Sequence, residues 1–443
     1  MSDNSSNNLQ VISKEKVNNI MELYTNGKYR EAISTIKLLN ESYPNVPLLF
    51  NILGVCYQSL RRLEDSVQAF EKAVIINPDY AEVYNNLGIS LIQLNEFSDA
   101  VISFSKAITI MPNFHRAHYN LGIALKKLGR LDESINSYKK VIELTPENAN
   151  AHNNLGTIFQ NLGHFDLSLD CFNQAIIQRP EYAEAYNNLG ILYREMGNFD
   201  EAIENFNKAL SYKNNFAEAY YNKGKILLDL NQNIEAIESF KKAIFIKPNY
   251  AEAYNNLGVA FKEINQINIS LESFKNAISI KSDFAEAHNN LGLAFLNLGQ
   301  ITESIDSFML ALKFKPDYTY AYNNYGSALK QIGKFKDASE CYFKALTIDP
   351  NFFEAHNNLG NVFKYLKRHD ESLKSYERTY DLNPQADYVL GNIAHAKLHL
   401  CSWAELSNYL NEFPKKINNA EKIIDPFPLL AIIDNPELQQ KSA

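Results

Sequence analysis

The sequence predicts an all-α superhelical solenoid of about eleven helix–turn–helix units, closed by a short C-terminal helical junction. Three observations carry this. Glycine recurs every 34 residues, at Gly54, Gly88, Gly122, Gly156, Gly190, Gly224, Gly258, Gly292, Gly326 and Gly360. In step with it run a small residue (Ser66, Ala100, Ser134, Ala202, Ala236, Ser270, Ala338, Ser372) and, four places later, an aromatic ring (Phe70, Phe104, Tyr138, Phe172, Phe206, Phe240, Phe274, Phe308, Tyr342, Tyr376). A proline closes most units, from Pro44 to Pro384, with Asn214 and Ser282 in its place in two. A fixed period of this length marks an architecture that grows by stacking rather than by enlarging one core.

The elements follow in order. Residues 1–12 are polar and read as a disordered tail. Residues 13–46 read as a degenerate capping repeat, marked by GKYREAI (Gly27 to Ile33) and Pro44, with Ile20 where glycine is expected. Ten full repeats span 47–386. In each, glycine and alanine let two helices approach closely, and the ring fills the space between neighbouring pairs. Between the helices stands a residue able to take a left-handed backbone: Gly129, Gly163, Gly197, Gly299 and Gly333, or Asn95, Asn231 and Asn265. Proline stops the second helix, because it lacks an N–H and disfavours helix in the residue before it. Asp79/Glu82, Asn249/Glu252 and Asp283/Glu286 have capping-box spacing for the next helix. Residues 387–443 form the junction: Gly391 lies 31 residues after Gly360, and the small–aromatic–alanine pattern disappears.

These residues closely resemble the tetratricopeptide-repeat consensus. Tyr84 matches the aromatic of its fourth place, Leu87–Gly88 its seventh and eighth, and Tyr57 and Tyr193 its eleventh, from which Leu91 and Leu125 depart. The resemblance covers roughly residues 13–386 and implies that the first helix of each pair lines a concave, polypeptide-binding face.

Composition narrows the partners. The formal net charge is −8, which speaks against nucleic acid, whose binding rests on neutralising phosphates with Lys and Arg. No apolar run approaches the ~18 residues of a membrane span, and the N-terminus lacks the pattern of a signal peptide. Cys56, Cys171, Cys341 and Cys401 form no paired-spacing framework and read as reduced and structural. The expected location is therefore cytoplasmic.

On the first helices one place stands out. The sixth is Asn86, Asn120, Asn154, Asn188, Asn222, Asn256, Asn290, Asn324 and Asn358. Asparagine costs up to ~0.7 kcal/mol against alanine inside a helix. Its amide offers donors and an acceptor, and could grip the backbone of an extended segment of another protein without reading its sequence. The same amides could instead bridge neighbouring helices. The fifth place is less regular, with Tyr119 and Tyr221 interrupting Asn85, Asn153, Asn187, Asn255, Asn289, Asn323 and Asn357. A clamp for a C-terminal carboxylate is not expected, since the second place is mostly acidic and the ninth mostly apolar. Lys223, where leucine is usual, reads as a stem snorkelling from the groove.

The tail has the only tryptophan, Trp403. His395, His399 and Cys401 invite a metal reading, but no fourth ligand lies nearby, so they read as packing residues. AHAKLHLCSW and DPFPLLAIIDNPELQ (Asp425 to Gln439) resemble the junction after the repeats of O-linked N-acetylglucosamine transferase-type enzymes. That family also has an asparagine ladder along its repeats. The resemblance implies that the chain is the substrate-holding part of a UDP-sugar-dependent protein glycosyltransferase, with a glycosyltransferase catalytic region as a partner; an independent scaffold is the other reading. No catalytic residues, cofactor site or metal site are expected in the chain itself. The ending looks cut: Pro436 suits a first helical position with few residues left, and the apolar run Leu429 to Ile433 lacks an evident partner. The sequence leaves a homodimer open.

Overall fold

A computed structural model describes residues 12–402, 406, 410–419, 422–424, 429 and 436–442. Among these the chain is helical throughout, with no strand. It divides into two compact units, Met1–Asn214 and Asn215–Ala443. The first opens with the pair Lys14–Thr25 and Tyr29–Ser42 and continues from Pro47–Ser59 and Leu63–Ile76 to Ala183–Glu195 and Phe199–Tyr212. The second runs from Ala217–Asp229 and Asn233–Ile246 to Phe353–Tyr365 and His369–Leu382. Val389–His399, Phe413–Asn418 and Pro436–Ser442 follow. From residue 47 to 382 every first helix has 13 residues and every second helix 14.

The glycine ruler marks where the two helices of a pair touch. A Cβ built on Gly54 or Gly258 would lie 2.5 Å from the ring of Phe70 or Phe274, and the other eight ruler glycines meet their rings almost as closely. All ten rings are fully buried. In the capping pair, Ile20 and Ile36 occupy the glycine and ring places, both fully buried; the smaller partner makes room for the added Cβ. Where the small residue is serine, its hydroxyl is absorbed locally: Ser66, Ser134, Ser168, Ser270 and Ser372 donate to the carbonyls of Gly54, Gly122, Gly156, Gly258 and Gly360 at 2.7–2.9 Å.

The left-handed turn is present at every expected glycine and asparagine, and also at Arg61, Lys367 and Cys401, whose φ angles are 58°, 58° and 56°. Proline is dispensable as a stop. Lys213 and Lys281, which precede Asn214 and Ser282, take the same extended backbone as Asn77 before Pro78. The capping boxes, in contrast, do not form. The helices begin at Ala81, Ala251 and Ala285, with Tyr80, Tyr250 and Phe284 at the N-cap and no side-chain cap. Asp79 instead lies in the turn, where its N–H donates to the Asn77 side chain.

At the C-terminal end the glycine loses register but the turn does not. Cys401 stands 34 residues after Lys367, so Val389–His399 is a further first helix in phase with the array. Gly391 serves a different contact. Its N–H donates to the Ile423 carbonyl at 2.8 Å, and a Cβ there would lie 2.6 Å from the Ile424 side chain. Leu429 does find a partner. It is fully buried in one cluster with Leu390, Phe413, Ile424 and Leu438, which corrects the expectation of an unpartnered run at its first residue. Trp403 and residues 425–428 and 430–435 lie outside the described residues, as do residues 1–11 of the expected tail.

Candidate functional site

The sixth-place asparagines lie on the first helices, half-buried, and eight of them are tied by a hydrogen bond to the repeat before. Asn86, Asn120 and Asn188 donate from Nδ2 to the Oδ1 of Asn51, Asn85 and Asn153 at 3.0–3.1 Å. Asn290, Asn324 and Asn358 do the same to Asn255, Asn289 and Asn323 at 2.9–3.0 Å. The two interruptions of the fifth place keep the pattern. Asn154 donates to the Tyr119 hydroxyl at 3.0 Å and Asn256 to the Tyr221 hydroxyl at 3.2 Å. Tyrosine thus supplies the acceptor oxygen that asparagine supplies elsewhere. Asn222, half-buried at the same place, also has an interaction of its own.

The ladder is therefore two rails. The fifth place is the buried one, with Asn85, Asn153, Asn255 and Asn289 at most 7 % exposed, and it accepts. The sixth place is the more open one and donates. Sequence reasoning singles out the donor rail and misses the acceptor rail; the signal is a spacing of 35 residues rather than 34. Asn357, the last fifth-place residue before the tail, has a buried Oδ1 without a hydrogen-bond donor.

Beside the ladder, Asn86, Ile89, Arg116, Tyr119, Asn120 and Asn150 line a cavity of about 420 Å³. Acidic second-place residues have local partners: Glu184 pairs with Lys213 at 2.7 Å and Glu218 with Lys247 at 3.7 Å, and Glu286 accepts from the neutral Asn255 amide at 3.1 Å. Lys213 holds the Glu184 carboxyl below its ordinary range against the opposing effect of burial. Lys223 is half-buried, and burial, reinforced by Lys242, pushes its ammonium pKa down.

Burial pushes the thiols of Cys56, Cys171 and Cys341 up to about 11, which suits inert packing residues. Cys401 is exposed, and all four are free thiols. No group of His, Cys, Asp and Glu among the described residues is arranged to hold a metal ion. His399 instead stacks on His369, a partner that the sequence does not reveal, and His395 stands edge-on to His399. No helix among the described residues is long and apolar enough to cross a membrane.

Comparison with known proteins agrees with the repeat geometry. Family models described as tetratricopeptide repeat or TPR repeat match residues 18–81, 57–113, 124–163, 149–215, 224–265, 260–299, 285–318, 326–367 and 353–385. A search of curated proteins finds no match. Among solved structures, yeast Tom70 is 17 % identical with a TM-score of 0.44, over 90 % of this chain and 98 % of that one. YrrB, described as a TPR protein with an unusual peptide-binding site, is 24 % identical with a TM-score of 0.36, over 42 % of this chain and 96 % of its own. MamA is 24 % identical with a TM-score of 0.35, over 37 % of this chain and 95 % of its own. With its period, its glycine–aromatic contacts and the repeat models that match along most of its length, the chain belongs to the tetratricopeptide-repeat family.

Proposed function

We propose that the chain is a binding module that holds extended polypeptide along its first-helix face, gripping the backbone through the sixth-place amides. The observation that carries this reading is the half-used state of the donor rail. Asn86, Asn120, Asn290, Asn324 and Asn358 each spend one N–H on the preceding repeat. Each keeps a second N–H and an acceptor oxygen among the described residues, the pair a peptide backbone needs. The bond to the preceding repeat fixes the amide before any ligand arrives, which lowers the ordering cost of binding.

The test separates grip from architecture. Unstructured peptides are selected from a random library on the parent chain, then titrated against a variant with Asn290, Asn324 and Asn358 replaced by Ala. We expect retained helicity, a lower Tm from the three lost inter-repeat bonds, and affinity weakened at least tenfold, about 1.4 kcal/mol. A lower Tm with unchanged affinity would make the ladder purely architectural.

We further infer that the held segment is presented to a protein O-glycosyltransferase of the O-linked N-acetylglucosamine transferase type. The support is the tail, AHAKLHLCSW and Asp425 to Gln439. The competing reading, an independent scaffold, draws on Leu390, Phe413, Leu429 and Leu438, whose shared cluster makes the tail a cap for the array. Coding sequence downstream decides: a nucleotide-sugar transferase there supports presentation, and its absence supports the scaffold. Calorimetry of this chain with UDP-sugars should show no saturable heat.

A further inference from the structure

The last two first helices, with the turn that follows the earlier of them, border an open pocket of about 620 Å³ that no function described so far uses. Lys364 and Asn361 come from Phe353–Tyr365, Lys367 from the left-handed turn, His369 from the next helix, and His395 and His399 from Val389–His399. The His369 and His399 rings stack, with centroids 4.5 Å apart and planes 7° from parallel, and His395 stands edge-on to His399 at 4.5 Å. Stacked imidazoles do not converge their nitrogens on one ion, consistent with the lack of a metal arrangement among the described residues.

What distinguishes the pocket is its one-sided charge. Among the described residues lining it are two ammonium groups and three imidazoles, and no carboxylate. The acids on the neighbouring helix are engaged elsewhere: Glu371 with Arg368, and Glu377 with the buried Lys397 at 3.1 Å. Asp370, also on that helix, is exposed and does not line the pocket. Burial, then Lys364, His399 and His369, hold His395 down at about 4. Like charges gathered without a counter-ion are electrostatically costly, and an anion relieves them.

We propose that this pocket binds a doubly charged tetrahedral oxyanion of the phosphate class and takes up a proton as it does so. Lys364 and Lys367 supply fixed positive charge, and the Asn361 amide supplies a neutral polar group. An imidazole protonated at the expense of the surrounding water completes the neutralisation. The imidazole N–H made with a proton from solvent or buffer is the one covalent change. The source is either a free ion or a phosphorylated side chain of a held polypeptide; the chemistry of the pocket is the same for both. The proposal does not depend on what the amide ladder grips.

Sulfate is the probe of choice, because its charge stays constant where histidine titrates. In the full chain, its affinity should rise with falling pH between about 7 and 5, approaching tenfold per unit for each proton taken up. The same addition should move the histidine ring resonances of His395 and His399 and raise the midpoint of His395. His395→Gln with His399→Gln should flatten the pH dependence; Lys364→Gln with Lys367→Gln should weaken binding at every pH but keep the slope. Inorganic phosphate binding as tightly as a phosphoserine peptide identifies the free ion, and a tighter phosphopeptide identifies the polypeptide source. Sulfate affinity independent of pH, no binding of sulfate, or ring resonances that respond to Zn²⁺ but not to sulfate would overturn the proposal. The resonance readout uses the parent chain, so it stands even where a variant fails to fold.

Discussion

Serine at the small-residue place shows how finely single positions are set. Ser270 spends its hydroxyl on the Gly258 carbonyl at 2.7 Å, whereas Ser304, equally buried, has no partner for its own. Ser270→Ala should therefore cost about 1 kcal/mol, while Ser304→Ala should be neutral or stabilising, because an unsatisfied buried hydroxyl is removed. Paired thermal melts read the difference, and equal losses would contradict it. Arg61 is the mirror case on the backbone. Its φ of 58° suits glycine, so Arg61→Gly should raise stability by up to about 1 kcal/mol, seen as a higher Tm. The glycines and asparagines of this turn are readable in the sequence, since those residue types visit the left-handed region readily. Arg61, Lys367 and Cys401 are not readable as turn residues, because there the fold imposes a conformation that the side chain does not favour.

Among elements, Val389–His399 gives the clearest lesson. Its sequence lacks the glycine ruler, which sets it apart from the array, yet its turn at Cys401 keeps the period. Elsewhere glycine marks pair packing, but Gly391 is small because residues 423 and 424 pass against it. The capping boxes fail for a related reason. Acid and amide spacing fits a cap, but the N-cap falls one residue later, on an aromatic side chain that cannot cap. The same terminal helix has a pH signature. His395 has its pKa lowered from 6.5 to about 4, so the folded state binds fewer protons than the unfolded chain between those values. The stability it contributes is present above pH 6.5 and is lost as pH falls toward 4. In buffer free of sulfate and phosphate, Tm should fall over that window, and His395→Gln should reduce the fall; an identical pH profile for the variant would refute the assignment.

At the scale of the whole molecule, periodicity is what the sequence displays best, since each unit repeats the same ring, glycine and turn. What it does not display is which oxygen receives each ladder amide, because tyrosine and asparagine look unlike as letters but offer the same acceptor. That equivalence makes a prediction about length. Deleting residues 251–284, one whole period within the second unit, brings Asn290 opposite Tyr221, whose hydroxyl already accepts from Asn256. Helical content per residue should be kept and the transition should stay cooperative, as nearest-neighbour stacking requires. Deleting about 30 residues from the same start should abolish cooperative melting, because the ring and glycine places fall out of step; circular dichroism distinguishes the two.

The rails also have a heading. In each of the eight sixth-place bonds described, the later repeat gives the hydrogen and the earlier one receives it. A strand laid from amino to carboxyl end and the same strand reversed therefore meet differently ordered dipoles, even with identical side chains. For the extended segment proposed to lie along the first helices, the two chain directions are then inequivalent, a polarity set by backbone direction and not by sequence.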